Sequence, residues 1–389
     1  MLQIKNASLV CGITIILLCS IELMSYVLVS IRYALASPES LIDPRSRADG
    51  YMNADWAKEY FKELSSMPGY KWHSYFYWRR APFKGKYTNI DEEGRRQTWN
   101  SLDHQGAAET KRLRIFMFGG STLWGTGARD DETIPSFVAK MLTQEYGFNV
   151  KVINFGVGGH ITTQEIIALL RELQRGNIPD FVVFYDGAND AFSTFQNRGM
   201  AGIPQNEFNR EREFNLLQPG RLRRLYKETL LVTYTNSSTY QVVNSLARRM
   251  TGRELLRVEW NPSVYPPPYQ VAHEVVRVYN WNITFVKNLG QIYGFKTLFY
   301  WQPVVFTKDK LTSYEQEVAN KANGMGQYYE AAATAAKTQL SGIDVFHDIS
   351  DVFRGDPKPY FIDTVHITGA GNELVARWIL KDIIPIVQQ

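Results

Sequence analysis

Residues 114–127 read RIFMFGGSTLWGTG, and this stretch decides the fold that the sequence predicts. Its first half is a continuous apolar run that ends in two glycines, which is typical of a buried strand in a parallel sheet. Apolar residues then recur at helical spacing, at Ile134, Phe137, Val138 and Met141. A strand, a glycine turn and a helix in this order indicate one unit of an alternating α/β sheet.

The same alternation continues towards the C-terminus. Strands are predicted at 151–159, 180–190, 296–306 and 343–349, and helices at 163–173, 271–293, 313–339 and 370–387. Residues 191–270 lack this rhythm and form a basic, partly helical insertion. The fold class that follows is α/β, a three-layer α/β/α sandwich with a central parallel sheet of the flavodoxin-like kind.

Three polar motifs fall at the ends of predicted strands, where open parallel sheets bind their ligands. Ser121 lies in FGGSTLWGTG, Gly159 in NFGVGGH and Asn189 in DGAND. A serine at such a turn exposes its hydroxyl group, while the N–H of Gly159 and the amide of Asn189 offer donors for an oxyanion. Taken singly, Ser121 reads equally as a helix N-cap, and Asn189 reads as a turn or cap residue.

A fourth motif, DTVHIT, places Asp363 and His366 three residues apart before the last predicted helix. A serine hydroxyl is a weak nucleophile until a base removes its proton, and His366 is a candidate for that base. Asp363 would then fix the tautomer of the imidazole and stabilise its protonated form. The nearest rival is His347, beside Asp344 and Asp348, but its apolar strand pattern favours a structural role.

In this order and strand context, the four motifs resemble the SGNH, or GDSL-type, hydrolases. That family carries a nucleophilic serine in a G-D-S-like turn, an oxyanion glycine, a G-x-N-D block and a D-x-x-H block. The resemblance covers roughly residues 112–190 and 295–387, and it implies neither a metal ion nor a cofactor. The site residues that it implies are the catalytic Ser121, Asp363 and His366, and an oxyanion hole of Ser121, Gly159 and Asn189.

Two positions depart from the family pattern. Gly120 stands where the family usually has aspartate, and His160 follows the oxyanion glycine where an aspartate is common. Neither position belongs to the triad, so we expect catalysis to survive. The loss of acidity would suit a different substrate or a more open site.

The N-terminal segment, residues 7–31, is predicted to anchor the chain in a membrane. It has about 25 residues with one charge, Glu22, and at ~1.5 Å per residue such a helix spans the ~30 Å hydrocarbon layer. The ALAS sequence at 34–37 leaves a cleavable signal peptide as the alternative, although the apolar run is long for one. Glu22 either faces a partner helix or is protonated or tilted towards the headgroups.

Composition narrows the classes of function. The net charge of +4, from 43 basic and 39 acidic residues, offers no concentrated basic surface for nucleic acid. The two cysteines, Cys11 and Cys19, both lie in the apolar segment, which excludes a disulfide framework and a cysteine-rich zinc site in the body. Residues 51–100 are rich in aromatic side chains, which either pack an extension onto the main domain or stack on sugars.

The predicted chain therefore has three parts. A transmembrane anchor at 7–31 precedes a linker and aromatic-rich extension at 37–110, and a hydrolase domain at 111–389 contains the insertion at 191–270. Lys5 flanks one side of the anchor, and Arg32, Arg45 and Arg47 lie on the other, so the positive-inside count does not favour a body outside the cytoplasm. The prediction that the catalytic domain is periplasmic or extracytoplasmic follows from the family resemblance.

Three functions fit these features. The favoured hypothesis is a serine ester hydrolase that forms an acyl-enzyme and acts on an acylated glycan or another extracytoplasmic ester. The alternative is a polysaccharide O-acetyltransferase, since similar membrane-tethered domains work beside a membrane-bound O-acyltransferase partner. The third is a non-catalytic glycan-binding subunit on the same fold, against which the four site residues in register argue.

Overall fold

A computed structural model describes residues 2–35, 42–100, 113–216, 229–230, 233–251, 265–322 and 324–388. Parts of the predicted linker and extension, at 37–41 and 101–112, lie outside the described residues, as do 217–228, 231–232 and 252–264 of the predicted insertion. The helices are α1 Leu2–Leu35, α2 Trp56–Ser66, α3 Ser121–Trp124, α4 Ile134–Gln144, α5 Thr162–Gln174, α6 Ala188–Gln196, α7 Glu207–Leu216, α8 Ser238–Thr251, α9 Pro268–Tyr293, α10 Ser313–Lys321, α11 Met325–Gln339 and α12 Gly369–Val387. The strands are β1 Tyr70–His73, β2 Tyr77–Arg80, β3 Phe83–Lys84, β4 Asn89–Ile90, β5 Leu113–Gly119, β6 Val150–Asn154, β7 Phe181–Asp186, β8 Lys296–Trp301 and β9 Phe346–Asp348.

The central sheet has five parallel strands in the order β6-β5-β7-β8-β9. Counted along the chain this order is 2-1-3-4-5, the doubly wound flavodoxin-like arrangement. Ile115 of β5 lies opposite Val152 of β6 and opposite Phe181 of β7. The order in which the strands are laid down reverses between the neighbouring strands β5 and β7, and such a switch point opens a crevice at the carboxyl ends of the strands.

Helices cover both faces of this sheet because its strands are apolar on both sides. Phe116 and Phe118 of β5 belong to one core cluster, which also contains residues of α5, α9 and α11. Ile115 and Met117 alternate with them and belong to a second cluster with residues of α4 and α12. Successive side chains of a strand point to opposite faces, so these two clusters are the two sides of one sheet. The predicted three-layer α/β/α sandwich is confirmed.

The chain forms two compact units, Met1–Ile42 with Phe208–Pro262, and Asp43–Glu207 with Ser263–Gln389. The second unit contains the sheet together with α2 and the antiparallel hairpins β1-β2 and β3-β4, which come from the aromatic-rich segment. Four aromatic side chains of that segment, Tyr51, Tyr60, Phe61 and Tyr87, are buried together in a small cluster.

The first unit pairs α1 with α8. Within α1, Gly12–Arg32 is long and apolar enough to cross a membrane, a property that signal sequences near the N-terminus share. The carboxylate of Glu22 accepts hydrogen bonds from the N–H groups of Ser238 and Thr239, at 2.6 and 3.0 Å. Glu22 thus satisfies the first N–H groups of a helix in the same chain, which is a favourable place for a carboxylate.

One predicted element is wrong in extent. Residues 313–339 form two helices, α10 and α11, rather than one long helix. Gly324 separates them with a left-handed φ of +84°, a conformation that breaks a right-handed helix and that glycine adopts at little cost.

Candidate active site

Ser121 lies where β5 gives way to α3, at the carboxyl edge of the sheet. β5 ends at Gly119, and the N–H of Trp124 donates to the carbonyl of Gly120 to close the first helical turn. This places the Ser121 hydroxyl 2.7 Å from Nε2 of His366. A distance of this size is a good hydrogen bond for a hydroxyl donor.

The loop before α12 presents Asp363 and His366 together. Phe361 and Ile367 form an antiparallel bridge, and the N–H of Ile362 donates to the carbonyl of His366, so the loop is closed at its base. The Asp363 carboxylate lies 2.7 Å from Nδ1 of His366 and also accepts the backbone N–H of His366 at 2.8 Å. The carboxylate therefore holds both the ring and the backbone of this histidine.

These contacts also set the charge of Asp363. Burial alone would raise the pKa of the Asp363 carboxyl, but the His366 ring and its hydrogen bonds outweigh burial and lower that pKa to about 2. Asp363 is therefore ionised at neutral pH, and its contact with Nδ1 orients the His366 ring so that Nε2 faces Ser121. Nε2 is then free to accept the proton of Ser121.

A buried ion pair supports the loop that carries Asp363 and His366. Nζ of Lys308 lies 2.5 Å from Glu315 of α10, and both side chains are fully buried. The other oxygen of Glu315 accepts the N–H groups of Tyr360 and Phe361, each at 3.0 Å. Lys308 also donates to the carbonyl of Lys358. The position of the histidine loop thus depends on a carboxylate about fifty residues earlier in the chain.

Three candidate oxyanion donors, Ser121, Gly159 and Asn189, come from the turns that follow β5, β6 and β7. Within the described part of the chain, the backbone N–H groups of Ser121 and Gly159 donate to no protein acceptor. Gly159 has a left-handed φ of +79°, which a side chain would strain. The Asn189 amide donates one hydrogen to the carbonyl of His160 at 2.8 Å, and it has a second hydrogen to offer. Gln205 donates to the Asn189 oxygen at 3.2 Å and so fixes which end of the amide faces the site.

The two departures from the family pattern have structural reasons. A β-carbon on Gly120 would lie 2.1 Å from Nδ2 of Asn189, so the amide occupies the space of a side chain. The His160 ring is buried, with Nε2 3.1 Å from the carbonyl of Trp78. Burial lowers the pKa of His160 to about 3, so the ring is neutral and donates to that carbonyl. The indole N–H of Trp78 in turn donates to the carbonyl of Gly158 at 2.8 Å. This bond joins β2 to the loop after β6, residues 155–160, which we call the glycine loop.

Asp190 joins the second and third motifs. Its carboxylate accepts the N–H and the hydroxyl of Thr162, at 3.3 and 2.9 Å, at the start of α5. Burial raises the pKa of the Asp190 carboxyl to about 6. The residue after Asn189 therefore links the turn after β7 to the turn after β6.

Ser121, Gly159 and His366 border a cavity of about 420 Å³. This volume lies in the range of small-molecule sites. Its walls are formed by Asp43, Arg45, Phe61, Leu64, Ser65, Tyr70, Arg80, Ser121, Thr126, Gly158, Gly159 and His366.

The structure brings together all five residues that the motifs single out. His347, the rival base, lies elsewhere, with Nδ1 3.2 Å from Asp382 and its ring stacked on Tyr300. Sequence reasoning missed the residues that the aromatic-rich segment contributes to the cavity, among them Tyr70 and Arg80. Among the described residues, no three His, Cys, Asp or Glu side chains are grouped as metal ligands.

Comparison with known proteins gives a family and several similar solved structures. Among solved structures, the chain is similar to an acetyl xylan esterase named AlAXEase, with 14% identity, a TM-score of 0.36, and coverage of 70% of this chain and 100% of that one. It is also similar to the acetylxylan esterase Axe2 from Geobacillus stearothermophilus, with 13% identity, a TM-score of 0.34, and coverage of 70% and 94%. A lipase from a goat rumen metagenome, Lip_vut3, gives 15% identity, a TM-score of 0.38, and coverage of 69% and 96%.

A search of the curated proteins gave no match. Residues 115–379, well over half of the chain, match the family model described as GDSL-like Lipase/Acylhydrolase. This match spans the strands and turns that carry Ser121, Gly159, Asn189 and His366. The chain therefore belongs to the GDSL-like lipase/acylhydrolase family.

Proposed function

We propose that this chain is a serine-dependent ester hydrolase that works through an acyl-enzyme. The observation that carries the proposal is the continuous hydrogen-bonded series from Asp363 through His366 to Ser121, with 2.7 Å at each contact of the imidazole. A nucleophile within hydrogen-bond reach of a base, itself oriented by a third group, is the arrangement that activates a serine.

In the first half-reaction the Ser121 oxygen attacks the ester carbonyl, and its proton passes to Nε2 of His366. The carbonyl oxygen becomes an anion, which in this proposal accepts hydrogen bonds from the N–H groups of Ser121 and Gly159 and from the amide of Asn189. Each such donor is worth about 3 kcal/mol in the transition state. Asp363 remains ionised and stabilises the imidazolium.

To complete this half-reaction, His366 gives its proton to the leaving alcohol, and the acyl group stays on Ser121. Water then attacks the acyl-enzyme while His366 accepts one of its protons. Collapse of the second tetrahedral intermediate returns that proton to the Ser121 oxygen and releases the acid.

We propose an acylated glycan as the substrate. A cavity of about 420 Å³ accepts a sugar residue with a short acyl group, and the half-exposed ring of Tyr70 on its wall is suited to stack on a sugar. In the alternative, an O-acetyltransferase, the same acyl-enzyme is attacked by a sugar hydroxyl instead of water. A membrane-bound O-acyltransferase would then be the partner that supplies acyl groups.

Product analysis separates these two functions. The full-length chain in detergent is given p-nitrophenyl acetate as donor, with and without a methyl glycoside as acceptor, and the products are identified by mass spectrometry. Hydrolysis predicts acetate as the product under both conditions, and Ser121→Ala should form none. If acetylated glycoside forms and its formation requires Ser121, the chain is a transferase and not a hydrolase. Turnover that survives Ser121→Ala would contradict both functions.

We further propose that α1 stays on the mature protein as a single membrane anchor, with the catalytic unit outside the cytoplasm. The apolar stretch Gly12–Arg32 supports this, since 21 residues suffice to span the hydrocarbon layer. The intact mass of the protein purified from membranes tests it. A mass that includes α1, together with protease sensitivity from the outer side, is expected, whereas cleavage after residue 36 would identify a signal peptide.

A further inference from the structure

Arg80 lies on the wall of the cavity that contains Ser121. It is the last residue of β2, and its Cα partner across the hairpin is Tyr70 of β1. Its guanidinium stands 4.3 Å from the centre of the Tyr70 ring and 5.5 Å from that of Trp124. Arg80 and Tyr70 line the same cavity as Ser121 and His366.

The charge of Arg80 lacks the compensation that neighbouring arginines have. Arg45, on the same cavity, lies 2.8 Å from Asp43, and the buried Arg96 lies 2.8 Å from Asp130. Within the described ranges no carboxylate is within ion-pair distance of Arg80, which is half-buried between rings. Arg80 also contacts the Tyr70 hydroxyl group, and because a guanidinium carries five N–H donors, the remaining donors along its edge can bind an anion.

Tyr70 places this cation close to the reacting serine. A β-carbon built on Gly158 would lie 2.2 Å from the Tyr70 hydroxyl and 3.8 Å from Cβ of Ser121. The Tyr70 ring therefore extends from Arg80 at its face to the glycine loop beside Ser121. A substrate whose ester reaches Ser121 brings its neighbouring groups to the edge of the Arg80 guanidinium.

We infer that Arg80 is a specificity-determining residue that binds an anionic group, a carboxylate or a phosphate, on the same sugar residue as the scissile ester or on the adjoining one. The inference rests on the proposed ester hydrolysis and narrows its substrate to acylated acidic glycans. The planar fork of N–H donors matches two oxygens of such a group, and a partly buried charge-assisted pair is stronger than one in open water. Lysine would supply the charge without the fork.

The test uses three mono-O-acetylated methyl glycosides that differ only at C6, where they carry a hydroxymethyl, a carboxylate or a phosphate. The full-length wild type in detergent should hydrolyse at least one anionic sugar with kcat/KM about 10- to 100-fold above the neutral one. Arg80→Gln should lower the ratio of kcat/KM between the anionic and the neutral sugar to near one, mainly by raising KM for the anionic sugar. Arg80→Lys should keep part of this preference. The preferred anion identifies the carboxylate or the phosphate as the ligand.

Lys62→Gln is the matched control, because Lys62 is an exposed cation of α2 outside the cavity wall, and it should keep the wild-type ratio. Labelling of Ser121 by a fluorophosphonate confirms that each variant is folded. Equal kcat/KM for all three sugars, or a ratio that survives Arg80→Gln, would overturn the role of Arg80 while ester hydrolysis stands. Absence of hydrolysis of every ester, together with absence of labelling, would overturn the proposed function and this inference with it.

Discussion

The Asn189 amide lies against the backbone of Gly120, one residue before the proposed nucleophile. A β-carbon at position 120 would come within 2.1 Å of Nδ2, well inside any van der Waals contact. Because the amide is also held by His160 and Gln205, it has little freedom to move aside. The position of the Asn189 amide therefore requires glycine at position 120, although the family usually carries aspartate there.

Gly120→Ala should displace the amide and weaken the oxyanion hole. We expect kcat/KM for p-nitrophenyl acetate to fall about 100-fold, the effect of losing one such donor, with the circular dichroism spectrum unchanged. Gly342→Ala is the control, since a β-carbon there meets nothing within 4 Å. Wild-type activity in Gly120→Ala would show that the amide does not act on the oxyanion.

At this scale the sequence predicts those residues that belong to short motifs. The catalytic roles of Ser121 and His366 can be inferred from the few residues around each of them, and the structure places the two side chains in contact. Arg80 and Gln205 could not be predicted in the same way. Each reaches the site through packing of a distant segment, and in sequence a cation such as Arg80 looks like part of a solvated face.

Among the elements, the loop from Tyr360 to Thr368 depends on α10. Glu315 accepts two N–H groups at the start of that loop and neutralises the buried Lys308. Removing one member of a buried pair leaves the other charge without compensation, which costs about 3–5 kcal/mol. The pair therefore positions the histidine loop as well as stabilising the fold.

Glu315→Gln should lower the free energy of unfolding by about 3–5 kcal/mol, measured by urea denaturation of the full-length chain in detergent. Glu317→Gln, on the same helix, removes a carboxylate that pairs with Lys321 at the surface. That control should change stability by less than about 1 kcal/mol. Equal stability of the two variants would mean that the buried pair does not hold the loop.

The elements also show where sequence patterns stop being informative. Apolar spacing predicts a helix over 313–339 because alanines recur on both sides of the break, yet Gly324 divides it. The hairpins β1-β2 and β3-β4 lie in a segment whose aromatic residues have no clear period. The turn of the β1-β2 hairpin is joined to the main domain by the hydrogen bond from Gln164 to the carbonyl of Phe76.

For the whole molecule, the order of the five strands explains why the site forms. The strand order reverses between β5 and β7, and hydrogen bonds from Asp190 and Asn189 join the turns after β7 and β6 beside this switch point. Strand–helix alternation predicts this architecture because it reflects burial of the strands on both faces. The pairing of Glu22 with α8 could not be predicted, since it joins residues more than two hundred positions apart.

The buried His160 gives the stability of the whole molecule a pH dependence. Its folded-state pKa of about 3 lies below the ordinary value of 6.5, so the unfolded chain takes up the proton first as the pH falls. His160→Gln can still donate to the carbonyl of Trp78 but does not titrate. The wild type should therefore lose stability relative to His160→Gln, by about 1.4 kcal/mol per pH unit, between pH of about 6.5 and about 3.

Urea denaturation of both proteins across this range measures the difference. A difference that stays constant with pH would show that His160 is protonated as easily in the folded state as in the unfolded state.

The most direct test of the central claim is covalent labelling of the full-length protein in detergent with a fluorophosphonate probe. Such probes react with a serine only when a base activates it. We expect the wild type to be labelled and Ser121→Ala to be unlabelled, while Ser65→Ala, which removes another serine of the same cavity, keeps the label. Labelling that persists in Ser121→Ala, or a folded wild type that does not react, would contradict the assignment of Ser121 as the nucleophile.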